Sequence, residues 1–112
     1  MRVIPIPVDA ARLTFTCVKP PRPRLLNKET GEIKTDKTGQ TVYEVTLSVE
    51  DTFDRIELVK VAMSGEPTIT PGDEVTPVDM IGYVWELAGR WGISYRVTGF
   101  RPAAPAFGRT GV

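Results

Sequence analysis

From Thr41 to Glu50 the chain alternates almost without interruption. Tyr43, Val45, Leu47 and Val49 fall on one side, and Glu44, Thr46 and Ser48 on the other. A period of two marks a strand with one buried face, so 41–50 is predicted as a strand. Leu13, Phe15 and Cys17 alternate with Arg12, Thr14 and Thr16 and predict an earlier one. Residues 55–63 predict a third. Their apolar phase runs Ile56, Leu58 and then Val59, Val61, Met63. That change of parity predicts a bulge near Val59, as in a strand that coils around a small barrel. After the turn signal Pro71-Gly72-Asp73 come two more extended runs, Val75 to Leu87 and Trp91 to Phe100, joined at Ala88-Gly89. Two runs across a Gly-containing pair predict a β-hairpin.

No segment carries a 3.6-residue period, and ten glycines and ten prolines punctuate the chain. The predicted class is therefore all-β. Five strands must close on themselves or leave edges exposed. The five-stranded Greek-key barrel called the OB-fold solves that problem at this size. It is expected over 11–102, after a Pro-rich N-terminal extension, 1–10, on the surface and before a loose, flexible tail, 103–112. Strands one and two are separated by a long basic loop. Its first part, Lys19-Pro20-Pro21-Arg22-Pro23-Arg24, holds three prolines that lack a ladder donor. Turn signals follow at Glu29-Thr30-Gly31-Glu32 and Asp36-Lys37-Thr38-Gly39. Loops of about twenty residues in a compact domain are usually functional or disordered.

Length and composition bound the function classes. A chain of 112 residues suits one domain. No apolar run reaches the roughly 18 residues of a membrane span, and MRVIPIPVDAARL is too short and too proline-broken for a secretory core. The expectation is a cytoplasmic protein without a membrane partner. The single Cys17 allows no internal disulfide and reads as a small buried hydrophobe. Net charge is zero, but it is unevenly spread. Residues 19–40 hold six basic against three acidic side chains, and 80–112 hold four against one. Residues 41–79 hold two against nine. If the fold brings the two basic blocks together, a neutral protein gains a basic surface.

The chain has no histidine, which removes Ser-His and Cys-His catalysis and the commonest metal ligand. One cysteine cannot build a thiolate zinc site, and no helix is predicted for a phosphate-cradling loop to open. Glu50, Asp51 and Asp54 could hold a hard cation weakly but read as a polar turn. No enzyme, cofactor or metal is expected. Binding is expected instead. Trp91, Ile93, Tyr95 and Val97 share one face of the last strand, and Trp85 shares a face of its strand with Tyr83, Ile81 and Leu87. Tyr43, Tyr83 and Tyr95 read as core. Trp85 and Trp91 flank the hairpin turn, where barrel depth runs out, and stay open between core and stacking platform. Aromatics with neighbouring cations can stack bases and neutralise phosphates. The candidate phosphate contacts are Lys19, Arg22, Arg24, Lys34, Lys37, Arg90 and Arg96; the candidate stacking residues are Trp85 and Trp91.

The strand order, the long basic loop and PGDEV before the fourth strand together resemble the OB-fold single-stranded DNA-binding proteins. The match lies in Gly72-Asp73-Glu74-Val75, then Gly82, then Trp85, within residues 11–101. The stretch LTFTCVKPPRPRLLNKETGEIKTDKTGQ also resembles small proteins encoded on actinobacterial plasmids and integrative conjugative elements. Two features of the bacterial family are missing: a Gly/Gln-rich linker and an acidic C-terminal tip, in whose place stands Phe107-Gly108-Arg109-Thr110-Gly111-Val112. Recruitment of partners through an acidic tail is therefore not implied. What the resemblance implies is binding of single-stranded DNA with low sequence specificity, in replication or transfer of a mobile element. RNA as ligand and a second copy of the chain as partner stay open. The alternative is a protein-interaction module using the Pro-Pro-Arg-Pro segment or a sheet edge.

Overall fold

A computed structural model describes residues 2–27 and 29–103, which leaves most of the 103–112 segment outside the described residues. Eleven strands are present among them: β1 (Arg2–Pro7), β2 (Thr14–Cys17), β3 (Arg22–Pro23), β4 (Leu25–Asn27), β5 (Glu32–Ile33), β6 (Val42–Glu50), β7 (Ile56–Ser64), β8 (Glu74–Val78), β9 (Ile81–Leu87), β10 (Arg90–Val97) and β11 (Gly99–Pro102). One 3-10 turn, Ala10–Arg12, is the helical element described. The class is all-β, as the alternation predicts.

The main sheet runs β1-β9-β10-β7-β6-β2-β8-β11, with β3 attached to β6. All of these pairs are antiparallel except β10 with β7. The order is an open path with β1 and β11 at its ends, so the sheet is not closed into the barrel that the sequence predicts. Two features account for the difference. The N-terminal extension is a strand, and it adds an edge beyond β9. The fourth and fifth predicted strands are also two strands each, the fifth dividing into β10 and β11 at Thr98. Asp79, at φ 52°, turns the chain between β8 and β9. As a result β8 lies against β2 and β11, while β9 lies against β10 and β1.

The core forms where the inward faces of both halves meet. Phe15, Cys17, Val45, Leu47, Val61, Val75, Met80 and Val97 make one buried cluster. Tyr95 packs against it, as expected, and Tyr43 is half-buried. Cys17 is buried as expected. Burial pushes its thiol up, Asp73 adds to this, and the backbone bond from Sγ to the Lys19 carbonyl opposes it.

The predicted bulge near Val59 is absent. The β6–β7 ladder runs from Val42↔Ser64 to Glu50↔Ile56 without a register shift. Parity changes because Ile56 and Leu58 are exposed on the outer face, whereas Val59, Val61 and Met63 point inward with Val45 and Leu47. The hairpin turn follows its sequence. Ala88 (φ 55°) and Gly89 (φ 77°) both adopt positive φ, as a two-residue turn matched to strand twist requires.

Candidate nucleic-acid interface

The long basic segment is an arm built from ladder bonds. Arg22 and Pro23 pair with Glu44 and Tyr43 of β6, so the proline-rich run does join the sheet, over these two residues. β4 and β5 form a small hairpin of their own. The Arg24 amide donates to the Val42 carbonyl (2.8 Å), the Val42 amide to Lys34 (2.9 Å), and the Lys34 amide to Arg24 (2.8 Å). This three-way lock sets Arg24 and Lys34 beside each other over Val42. It explains why Val42 is 2% exposed although it lies on the outer face of the sheet. Further out, a Thr35↔Thr41 bridge and the Asp36 turn hold the arm's end. The Asp36 carboxylate accepts from the Thr38 hydroxyl (2.7 Å) and from the Thr38 and Gln40 amides (2.8 and 3.0 Å). The Thr38 and Ser64 hydroxyls lead in lowering its pKa to about 2.

β9 and β10 bring their outer face to the same place. Antiparallel partners share a face, so Trp85 goes with Gly92, Tyr83 with Ser94 and Ile81 with Arg96. Arg96 is in turn level with Ala62 on β7, Ala62 with Glu44 on β6, and Glu44 with Arg22 on β3. One continuous rung therefore carries Arg96 and Arg22 across the sheet. Arg24, Lys34 and Arg96 line a cavity of about 420 Å3 with Val42, Ala62, Tyr83, Ser94 and Tyr95. That volume lies within the roughly 300–1,000 Å3 usual for ligand sites. A second cavity, sharing Tyr83 and Arg96, extends toward Gln40, Ser64 and Thr98. A third, sharing Arg24, extends toward Arg22, Leu25 and Lys60. The three make one open groove. Among the described residues Arg24, Lys34 and Arg96 form no ion pair. Arg22 and Lys60 both reach Glu44, at 3.5 and 3.9 Å.

Trp85 lies on the same face of β9 as Tyr83, one row beyond it and outside the three cavities. A Cβ on Gly92 would stand 2.6 Å from its Cζ2 and 2.9 Å from its Cε2, so the indole rests on the bare backbone of the neighbouring strand. Glycine at 92 is what allows that approach.

The predicted site residues divide accordingly. Arg22, Arg24, Lys34 and Arg96 converge on the groove, and Trp85 lies on the same face one row beyond Tyr83. Trp91 does not: it pairs with Glu86 and faces the opposite side of the sheet from Trp85. The two tryptophans cannot form one platform, because the odd residues of β9 and the odd residues of β10 point to opposite faces in this register. Lys19 and Lys37 are exposed beside the arm and Arg90 at the hairpin tip, outside the three cavities. Tyr83, Ser94 and Lys60 also line the groove; the alternation predicts Tyr83 as core and marks neither of the others. The shared parity of Tyr83 with Trp85 was the available signal. Among the described residues no group of three or more His, Cys, Asp or Glu could hold a metal ion. The Asp51 carboxylate accepts from the Phe53 and Arg55 amides and shapes the turn. No described helix is long and apolar enough to cross a membrane.

No family model, no curated protein and no solved structure matches the chain.

Proposed function

We propose that the chain binds single-stranded nucleic acid, DNA in the first place, along the outer groove and with little sequence preference. The carrying observation is the convergence of Arg24 and Lys34 from the arm with Arg96 from β10 around a cavity lined by Tyr83, with Trp85 on the same face one row beyond. Cations without carboxylate partners suit a phosphate backbone, and aromatic faces suit any base, since every base has a π face. No array of side-chain amides lines the Arg24–Lys34–Arg96 cavity to read base edges, which favours low specificity. An OB-type arrangement is part of this reading. It is supported by β2 lying between β6 and β8, by the parallel β7–β10 pair, and by the two residues that separate β8 from β9.

The test is a titration of intrinsic fluorescence with oligo-dT. We expect saturable quenching in the wild-type protein that is lost in Trp85→Phe and weakened at least tenfold in Arg24→Ala/Arg96→Ala. Unchanged fluorescence, with no retardation of the oligonucleotide at low salt, would overturn the proposal.

A further inference from the structure

The face of β1, β9 and β10 that points away from the groove is apolar and uncovered. Its rows follow from the register. Ile4 lies beside Val84 and Ile93, Ile6 beside Gly82 and Tyr95, and Arg2 beside Glu86 and Trp91. A Cβ on Gly82 would meet Tyr95 and Ile93, which fixes these side chains on one face. This face is continuous with the core, and burial fades along it. Val97 is buried and Tyr95 packs on the core, but Ile93 is 44% exposed, Ile4 and Ile6 each 49%, and Trp91 71%. Isolated exposed hydrophobes are ordinary, but a contiguous flat patch marks a contact.

We propose that this face joins two copies of the chain, stacked sheet on sheet about a two-fold axis. Three observations favour a second copy as the occupant. First, the patch ends in one cation and one anion, Arg2 and Glu86, on the same rung. A two-fold contact is self-complementary, so it can set each copy's Arg2 against the other's Glu86. A nucleic acid would find no net positive charge there. Second, Ile4, Ile6, Ile93 and Trp91 are each 44% or more exposed and adjacent, supplying the contiguous apolar centre with an aromatic residue that an interface core needs. Third, the competing mode, pairing of β1 edges, is hindered. Proline has no N–H, and within a strand it sits with its nitrogen toward the open side. Pro5 and Pro7 thus withdraw two donors from the free edge of β1, which favours contact through the face over contact through the edge. The groove lies on the other side of β9 and β10. A dimer of this kind leaves both grooves open and pointing away from each other, and it stands whether or not the grooves bind nucleic acid.

Sedimentation equilibrium on the purified chain tests this directly. The wild-type protein should be a dimer at high micromolar concentration, and Ile93→Glu should be monomeric with an unchanged far-UV spectrum. Trp91→Glu, at a more exposed position, supplies the same test if Ile93→Glu fails to fold. Arg2→Glu and Glu86→Arg should each weaken the dimer alone, and a mixture of the two should restore it as a heterodimer. That restoration distinguishes contact across the interface from contact within a copy. A monomeric wild-type protein would overturn the proposal, and so would a dimer indifferent to both Ile93→Glu and Trp91→Glu. Oligo-dT binding by the monomeric variants separates this result from the function of the groove.

Discussion

The Trp85 indole lies across Gly92, so close that a single methyl on residue 92 would stand 2.6 Å from Cζ2. The contact costs the strand little, because the ring covers backbone that a β-carbon would otherwise cover. It also holds the indole on the groove side of β9, where its exposed part is available to a stacked base.

Gly92→Ala should therefore lift the indole from the sheet without removing it. The expected result is a shifted emission maximum and oligo-dT affinity reduced about five- to tenfold, within the range of a stacking contact worth roughly 1–3 kcal/mol. Wild-type emission and affinity in this variant would show that the ring is not held by this contact.

The two tryptophans should separate by function. Trp85→Ala should weaken oligo-dT binding by roughly 1–3 kcal/mol, whereas Trp91→Ala should leave binding of the monomeric form unchanged and weaken self-association. Paired fluorescence titrations and sedimentation runs on both variants check this. Equal losses of binding in the two would contradict the opposite-face register.

Salt dependence should report a small number of phosphates. With Arg24, Lys34 and Arg96 each neutralising one phosphate of the strand, the slope of log K against log salt should be about −2, taking roughly −0.7 per phosphate. Removing Arg96 should flatten it by about 0.7 and weaken all sequences alike. A slope that Arg96→Ala leaves untouched would place the contacts elsewhere.

Asp36 sets a pH limit on the arm. Its carboxyl is held at about 2, below the usual 3.8, first by the hydroxyls of Thr38 and Ser64 and then by backbone amides. A depressed folded value means that the turn is stabilised above the unfolded value and loses this support as pH falls through the folded one. Thr38 and Gln40 amide shifts should thus stay constant from neutral pH to about 4 and move only as pH approaches 2. A carboxyl titration of Asp36 near 3.8 would refute this. Asp36→Ala should loosen the arm at every pH and lower oligo-dT affinity.

The parts of the fold legible in the sequence are those where alternation and burial coincide. β6 was bounded almost to the residue because Val45 and Leu47 face the core throughout, and Ala88-Gly89 was legible because a two-residue turn demands positive φ. β1 was not legible. Pro5 and Pro7 are tolerated only at an edge, and nothing local tells an edge strand from a surface loop. The arm was misjudged for a related reason: two residues of ladder, Arg22 and Pro23, are too few to leave a period. Of the candidate site, the charges were legible as a cluster, since Arg24 and Lys34 belong to one segment. The meeting with Arg96 and Tyr83 depends on the β7–β10 pairing, a contact between distant residues that no local pattern carries. That Trp91 and Trp85 lie on opposite faces is not legible locally, because parity can be counted along one strand, whereas their relation depends on which residues pair across the turn.

Glu44 has a consequence for how such a groove would release its ligand. It sits between Arg22 and Lys60, within 4 Å of both, and imitates a phosphate bound at that end. In the proposed binding mode an incoming strand would have to displace this internal decoy there but would meet no such competitor at Arg24, Lys34 and Arg96. Dissociation would then begin at the Glu44 end and proceed by peeling rather than by release along the whole length. Glu44→Gln should slow it, and stopped-flow dissociation from oligo-dT would reveal the change as a longer residence time with little effect on the association rate.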